Sequence, residues 1–553
     1  MSATAAGLLQ VGLLVLALAV VYRPLGDHMA RVFTSERHLR IERVIYRAVR
    51  VHPDAEQNWR SYAAGVLGFS FVSVVSLYLI QRLQPLLPFG FGHGSVDPGI
   101  AFNTAVSFVT NTNWQSYVPE QVMGHAVQML GLTVQNFLSA AVGLAVATAL
   151  VRGFVRSRTD RLGNFWVDLT RGTVRILLPM AFLFAIVLVA LGVVQSLRSS
   201  LDVTTVDGRG HRIALAPVAS QEAIKELGTN GGGVLNANSA HPFENPNGWT
   251  NLIEIFLLLV IPVSLTRTFG RLVGNTKQGY ALLSVMGVLW AGMLTVIWWA
   301  EAHPNGPAAL LAGGNMEGKE VRFGIAGSVL FADATTGTST GAVNSMHDSY
   351  SGLGGGGTLL NMLFGELSPG GVGTGLYSIL VVAVIAMFLA GLMVGRTPEY
   401  LGKKLGRREV TASALAILAM PTVLLLGAGL AIMLSGTPGH LANDGVHGWS
   451  EVLYAYTSAS NNNGSAFAGI TVTSPWFQSS LAICMLLGRF VPILAVLCLA
   501  GSLAGQKKVP QTSGTLPTTG ALFPTMLTGT VLLVAALTFI PALALGPIAE
   551  ALA

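Results

Sequence analysis

Residues 456–470 read Tyr456-Thr457-Ser458-Ala459-Ser460-Asn461-Asn462-Asn463-Gly464-Ser465-Ala466-Phe467-Ala468-Gly469-Ile470, a run of small, polar and glycine residues between two segments apolar enough to cross a bilayer. Polar backbone without helical pairing is tolerated at membrane depth only where protein buries it or where water and ions line it. Three other stretches carry the same chemistry: Thr110-Asn111-Thr112-Asn113-Trp114-Gln115, Thr229-Asn230-Gly231-Gly232-Gly233 and Thr338-Ser339-Thr340-Gly341-Ala342. Aligned on Asn113, Gly231, Gly341 and Gly464, successive stretches stand 118, 110 and 123 residues apart. Like loops at nearly even spacing mean repeats within one chain. The four are expected to meet at one axis and form an ion filter.

Composition sets the surroundings of these loops. Of 553 residues, 52% are hydrophobic and only 10% charged, with a mean hydropathy of +0.59. Soluble domains carry about a quarter charged residues, so the chain is a polytopic membrane protein. Apolar runs long enough to cross, about 20 residues each, fall at 4–22, 62–82, 123–151, 176–197, 251–269, 280–300, 374–395, 412–435, 478–505 and 521–548. The first has no basic residue before it and arginines after it, the reverse of a signal peptide, and reads as an uncleaved span. The expected organisation is a first span at 1–22, a basic segment at 23–61, repeats at 62–151, 176–269, 280–395 and 412–505, and a last span at 521–548. The fold class is an all-α bundle with four helix–pore-loop–helix repeats. Each loop follows a stretch too short to cross, at about 99–110, 217–228, 326–337 and 449–460, which suits helices that enter halfway. Val206-Asp207-Gly208-Arg209 and Met316-Glu317-Gly318-Lys319 suggest small hairpins outside the bilayer.

Lys and Arg orient the bundle. Segments 23–61, 152–175, 267–279, 396–408 and 504–520 hold 24 of the 32 basic residues, and 83–122 and 436–477 hold none. The basic segments alternate along the chain and are expected in the cytoplasm, with both termini and all four polar loops outside. The net charge of +6 is therefore a topology and lipid-contact signal, and no nucleic-acid role is needed. Cys484 and Cys498 share one apolar segment, offer no disulfide framework or metal site, and read as packing residues.

A potassium ion sheds its water only if oxygens replace it, and rings of backbone carbonyls do this in channel filters. Consecutive carbonyls line one wall only at unusual φ and ψ, which glycine permits and asparagine tolerates. The residues expected to bind the ion are Asn111, Thr112, Asn113 and Gln115; Thr229, Asn230, Gly231 and Gly232; Ser339, Thr340 and Gly341; and Asn462, Asn463 and Gly464. Short helices aiming their C-terminal ends at these loops add negative potential for a cation. Gln115 either ligates an ion at the mouth or braces its loop.

These loops, together with Asn236-Ala237-Asn238-Ser239-Ala240-His241-Pro242-Phe243-Glu244-Asn245-Pro246 and Gly341-Ala342-Val343-Asn344-Ser345-Met346-His347-Asp348, resemble the potassium-translocating component of Kdp-type potassium-transporting ATPases. The resemblance covers essentially the whole chain. It implies a bacterial inner-membrane protein that selects external potassium in a channel-like filter. It further implies that the ion passes sideways to a P-type ATPase catalytic subunit, with a single-span accessory subunit and a small membrane peptide completing the complex. Potassium is then the transported ion. No G-x-x-x-x-G-K-[ST] phosphate loop, Asp-Lys-Thr-Gly motif or large soluble segment is found in the sequence, so no nucleotide is expected here and the chain is not an enzyme by itself. The rival reading is a stand-alone channel or cation symporter of the same superfamily. A transporter with inverted repeats is disfavoured because these repeats share one orientation. Asn113 stands where the other loops have glycine, so the four walls differ.

Arg489 lies near the middle of the ninth span, where a charge is expensive and marks a pathway or a partner. It is read as a gating or coupling residue below the filter, the alternative being a structural ion pair. Asp97, Glu120, Glu244, Asp333, Asp348 and Glu451 flank the loops and are expected as a solvated acidic rim. His241 and His347 lack partners at metal spacing and read as loop hydrogen bonders.

Overall fold

Ten helices long and apolar enough to cross a membrane dominate the computed structural model, which describes residues 2–303, 314–510 and 515–552. Residues 304–313 of the expected third repeat, 511–514 of the 504–520 segment and the two terminal residues lie outside that description. Spans 1 to 10 run Ala3–Thr34, Trp59–Arg82, Val127–Val155, Phe165–Ala190, Gly248–Leu272, Thr276–Ala302, Thr374–Met393, Arg407–Met433, Pro475–Gly505 and Leu522–Ala544. Among the described residues, strands are confined to short two-stranded hairpins and pairs, and the fold is all-α.

Three differences from the hydropathy reading have local causes. Span 1 continues past residue 22 to Thr34 because Asp27, one turn beyond Arg23, pairs with Arg267 at 2.9 Å and Arg271 at 3.3 Å on span 5. Span 4 starts at Phe165 rather than 176, since the Asn164 side chain accepts from the Trp166 and Val167 amides. It ends at Ala190 because Gly192 turns the chain at φ +104°. A helix at Gly352–Leu363 precedes span 7. The third repeat therefore follows its polar loop with two helices broken at 364–373.

Four short helices, Pro98–Val109, Val218–Leu227, Gly324–Gly337 and Gly445–Asn461, stand before the polar loops. The first is started by Asp97, whose carboxylate accepts from the Gly99 and Ile100 amides, with Pro98 in the first turn, where its missing N–H is no loss. The hairpin at 206–209 forms, pairing Ser200–Thr204 with Gly210–Ala214. At 316–319 there is instead a turn whose Lys319 bridges to Ser345.

Between helices surrounded by lipid, small residues permit the close packing that apolar burial cannot drive. A Cβ on Gly488 of span 9 would lie 2.0 Å from the Ser460 carbonyl, and one on Gly153 of span 3 would lie 2.7 Å from that of Ala500. These glycines let span 9 run against the end of the fourth short helix and against span 3. Large apolar side chains such as Phe71, Phe182 and Leu537 point outward, as a lipid-facing surface requires.

Candidate functional site

The four loops close into a ring in chain order. A Cβ on Gly231 would stand 2.5 Å from Gly341 Cα; one on Gly341 would stand 2.9 Å from Gly464 Cα; one on Gly464 would stand 1.9 Å from the Thr112 carbonyl oxygen; and one on Gly232 would stand 3.1 Å from the Asn113 oxygen. Side chains tie neighbours together. Asn111 Nδ2 donates to the Thr229 carbonyl at 2.7 Å, Asn230 Nδ2 to Asn111 Oδ1 at 2.7 Å, and Asn462 Nδ2 to Thr112 Oγ1 at 3.0 Å. The Gly341 amide donates to the Asn230 carbonyl at 2.7 Å.

Each loop leaves its helix by the same step. Asn111, Thr229, Ser339 and Asn462, two positions before the aligned residues, all have left-handed backbone, at φ +68°, +47°, +56° and +59°. None is glycine, and a β-branched threonine there is a strained exception. The next amides, of Thr112, Asn230, Thr340 and Asn463, turn back to the carbonyls of Ser107, Lys225, Thr335 and Ser458. In a planar trans peptide the C=O points opposite to the N–H. The carbonyls of Asn111, Thr229, Ser339 and Asn462 therefore face away from their own helices. Beyond this step the repeats diverge: Asn113 and Gly464 have φ of +59° and +98°, whereas the positive φ of the second loop falls at Gly232.

Among the described residues, the carbonyl oxygens of Asn111, Thr112, Asn113, Gly231, Ser339, Gly341, Asn462, Asn463 and Gly464 accept no hydrogen bond. Buried carbonyls are almost always paired, and the polar residues among these are at most 3% exposed. Unpaired carbonyls of this kind are able to coordinate a partly desolvated cation. The side chains serve as braces: Asn113 Nδ2 donates to Asn136 Oδ1 at 3.0 Å, Asn463 Nδ2 to the Thr335 carbonyl at 3.1 Å, and Thr340 Oγ1 meets Thr338 Oγ1 at 2.9 Å. Gln115 Nε2 donates to the Tyr117 hydroxyl at 3.0 Å and to the Gly233 carbonyl at 3.1 Å, so its amide nitrogen braces loops one and two. The Gly232 carbonyl, expected among the ion ligands, is engaged by Asn238 Nδ2 at 2.6 Å.

Sequence reasoning missed what lies beneath the ring. The break at 364–373 passes under the loops: the Val372 amide donates to Thr229 Oγ1 at 2.9 Å, and a Cβ on Gly371 would stand 3.0 Å from Ser339 Oγ and from the Thr338 carbonyl. Glu366 on this segment is buried; the Ser339 hydroxyl donates to its carboxylate, and Asn463 Nδ2 lies 3.4 Å from it. The signal available in the sequence was a lone acid among glycines just before an apolar run. Arg489 is 3% exposed, and its Nη2 donates to the Ser139 carbonyl at 3.3 Å. No carboxylate lies within ion-pair distance of it among the described residues, which disfavours the structural ion pair. Glu366, Asn462 and Arg489 together line a cavity of about 130 Å³ that extends between spans 7, 8, 9 and 10, past Val381, Met420 and Val534.

Half of the expected acidic rim is withdrawn from solvent, while Asp97 is exposed and Glu120 and Asp348 are half-buried. Glu244, Asp333 and Glu451 are fully buried. Glu244 pairs with Lys225 at 3.0 Å, Asp333 accepts from Asn361, and Glu451 accepts from the Ala442 and Asn443 amides. His347 Nδ1 meets the Tyr454 hydroxyl and His241 Nδ1 accepts from the Phe243 amide, both as loop hydrogen bonders.

A family model described as "Potassium-transporting ATPase A subunit" matches residues 12–552. A Rhodococcus erythropolis protein named potassium-transporting ATPase potassium-binding subunit is 63% identical over 558 residues, covering 100% of this chain and 99% of the relative. Proteins of the same name from Mycobacteroides abscessus, 60% identical over 569 residues, and Streptomyces griseus, 59% identical over 553 residues, cover 100% of this chain and 99% and 100% of themselves.

Proposed function

The chain belongs to the family of potassium-transporting ATPase A subunits, and on that premise we propose that it binds and translocates potassium for an ATP-driven importer through the ring of four loops. The observation that carries this reading is the set of bare, buried carbonyls around the ring. They come from loops at which four short helices end, so that negative helix ends converge on the ion. The ligands are the carbonyls of Asn111, Thr112, Asn113, Gly231, Ser339, Gly341, Asn462, Asn463 and Gly464. The side chains of Asn230, Thr340 and Gln115 hold them in place.

The basic segments favour loops and termini on the outside, and membership of the family favours an inner-membrane location. Below the ring, Glu366 attracts a cation released from it, while Arg489 opposes one settling in the cavity. An ion is thereby directed laterally between spans 7 to 10, which suits delivery to a P-type catalytic subunit better than a leak to the cytoplasm. Hydrolysis belongs to that subunit; a single-span subunit and a small peptide complete the assembly. Purification in mild detergent tests the whole reading. A co-purifying subunit of P-type size with potassium-stimulated ATPase activity supports it, whereas a chain that emerges alone and conducts potassium in liposomes supports the stand-alone channel.

A further inference from the structure

Six positions before each aligned loop residue, the short helices carry Ser107, Lys225, Thr335 and Ser458. In three repeats a hydroxyl at this position touches the loop directly. Ser107 Oγ donates to the Trp114 carbonyl at 2.9 Å, Thr335 Oγ1 donates to the Ala342 carbonyl at 2.5 Å, and the Gly464 amide donates to Ser458 Oγ at 2.8 Å. Trp114 and Ala342 each follow the aligned residue by one, and their counterpart in the second repeat is Gly232. Lys225 offers no hydroxyl to reach it. That carbonyl is held instead by Asn238 Nδ2 at 2.6 Å, and Asn238 Oδ1 in turn accepts from Lys225 Nζ at 3.2 Å. The ammonium is completely buried and clamped by Glu222 Oε2 at 2.7 Å, Glu244 Oε2 at 3.0 Å and Ser239 Oγ at 3.1 Å. Asn238 Oδ1 also accepts from the Val343 amide of the third loop at 3.2 Å, and Asn238 itself has left-handed backbone at φ +54°.

We infer that Lys225 and Asn238 form a relay that replaces the missing hydroxyl and sets the geometry, and hence the ion selectivity, of the second loop against the third. The inference rests on the reading of the ring as the potassium filter. A lysine is suited to this because an ammonium, unlike a hydroxyl, has three donors. It can satisfy two carboxylates and still orient the asparagine amide so that Nδ2 faces Gly232. A buried cation with partners on several elements is costly to displace, so the relay is stiff. Lys225 and Asn238 are positioning residues: they act on the ion through the Gly232 carbonyl and the loop that carries it.

The decisive variant is Asn238→Asp, which keeps the Oδ1 acceptor for Lys225 and Val343 and exchanges the donor to Gly232 for a carboxylate oxygen that repels that carbonyl. Competition between potassium and rubidium uptake is measured for the intact complex in membranes, per folded complex. The expected result is a loss of potassium preference on the order of tenfold, the size of one charge-linked hydrogen bond. Lys225→Gln should lose as much, and the double variant no more than either single one, because the residues act in series. A wild-type preference in Asn238→Asp overturns the relay, whether or not less protein folds. Should Lys225→Gln fail to fold, Asn238→Asp alone decides. Gly464→Asp is the control for the filter itself. If it too leaves the preference unchanged, the filter reading has failed; if it alters the preference and Asn238→Asp does not, only the relay has.

Discussion

Gly464→Ala is the smallest change that challenges the ring, and its effect can be worked out from the backbone. Gly464 has φ +98°, and a Cβ there would stand 1.9 Å from the Thr112 oxygen, 3.0 Å from the Thr112 carbon and 3.2 Å from Gly341 Cα. The obstacle is backbone on two neighbouring loops, so no rotamer change relieves it. Reaching ordinary contact requires a displacement of about 1.5 Å, judged against the 3.4 Å at which such contacts become normal. The left-handed conformation adds a penalty of about 1–2 kcal/mol for a residue with a side chain. A carbonyl moved that far no longer ligates an ion held by its neighbours, and a contact to a charge is worth roughly 1.5–3 kcal/mol. The potassium concentration for half-maximal uptake should therefore rise roughly 10- to 100-fold, since each 1.4 kcal/mol is tenfold. Discrimination against sodium should fall with it. The assay is potassium-dependent uptake or ATPase activity of the intact complex, normalised to folded protein. Unchanged half-saturation and unchanged sodium rejection in a folded variant would refute the assignment of Thr112 and Gly464 to the ion site.

Gly231→Asp places a side chain 2.5 Å from Gly341 Cα and a carboxylate among carbonyls; transport should be abolished or its selectivity relaxed while membrane insertion persists, as measured by uptake against surface labelling. Gln115→Ala removes the brace to Gly233 and Tyr117 and should raise half-saturation severalfold, about the worth of one neutral hydrogen bond, with little change in maximal rate; an unaltered constant would reduce Gln115 to a passive wall. Arg489→Gln should lower potassium moved per ATP hydrolysed without much loss of folded complex, because among the described residues no carboxylate lies within ion-pair distance of it; an unchanged ratio sinks the coupling role. His447, in the first turn of the helix Gly445–Asn461, stands 3.2 Å from Asp348 and 2.9 Å from Glu550, and hydrogen bonds to Asp348 and then Glu550 raise its pKa to about 10. A raised value means that its stabilisation is complete below the ordinary 6.5 and is lost as pH climbs through 10. The difference in unfolding temperature between wild type and His447→Gln should be largest near pH 6 and vanish by about pH 11; a constant difference across that range would show that the ion pairs contribute nothing.

Hydropathy, basic-residue spacing and loop composition are properties of the chain read locally, and they determined a great deal here. Ten spans, four half-entering helices and four polar loops at repeat spacing were legible because each needs only its own stretch of residues to be recognised. Span ends were less so: Asp27 extends span 1 through arginines on span 5, more than two hundred positions away. Tertiary structure alone decided which oxygens are bare. Asn462 bonds Thr112 across 350 residues and Asn111 reaches Thr229 across 118, so amide side chains that look like ligands in the sequence became struts, and the backbone behind them became the candidate wall. The same distance dependence hid Glu366, which reaches Ser339 and Asn463 only because the third repeat folds back beneath its own loop. It also hid the full pairing of Lys225, which meets Glu222 on its own helix and also Glu244, 19 residues on. A local pattern shows that a segment must be polar at depth; closure of the ring settles which of its atoms the protein satisfies and which are left for an ion.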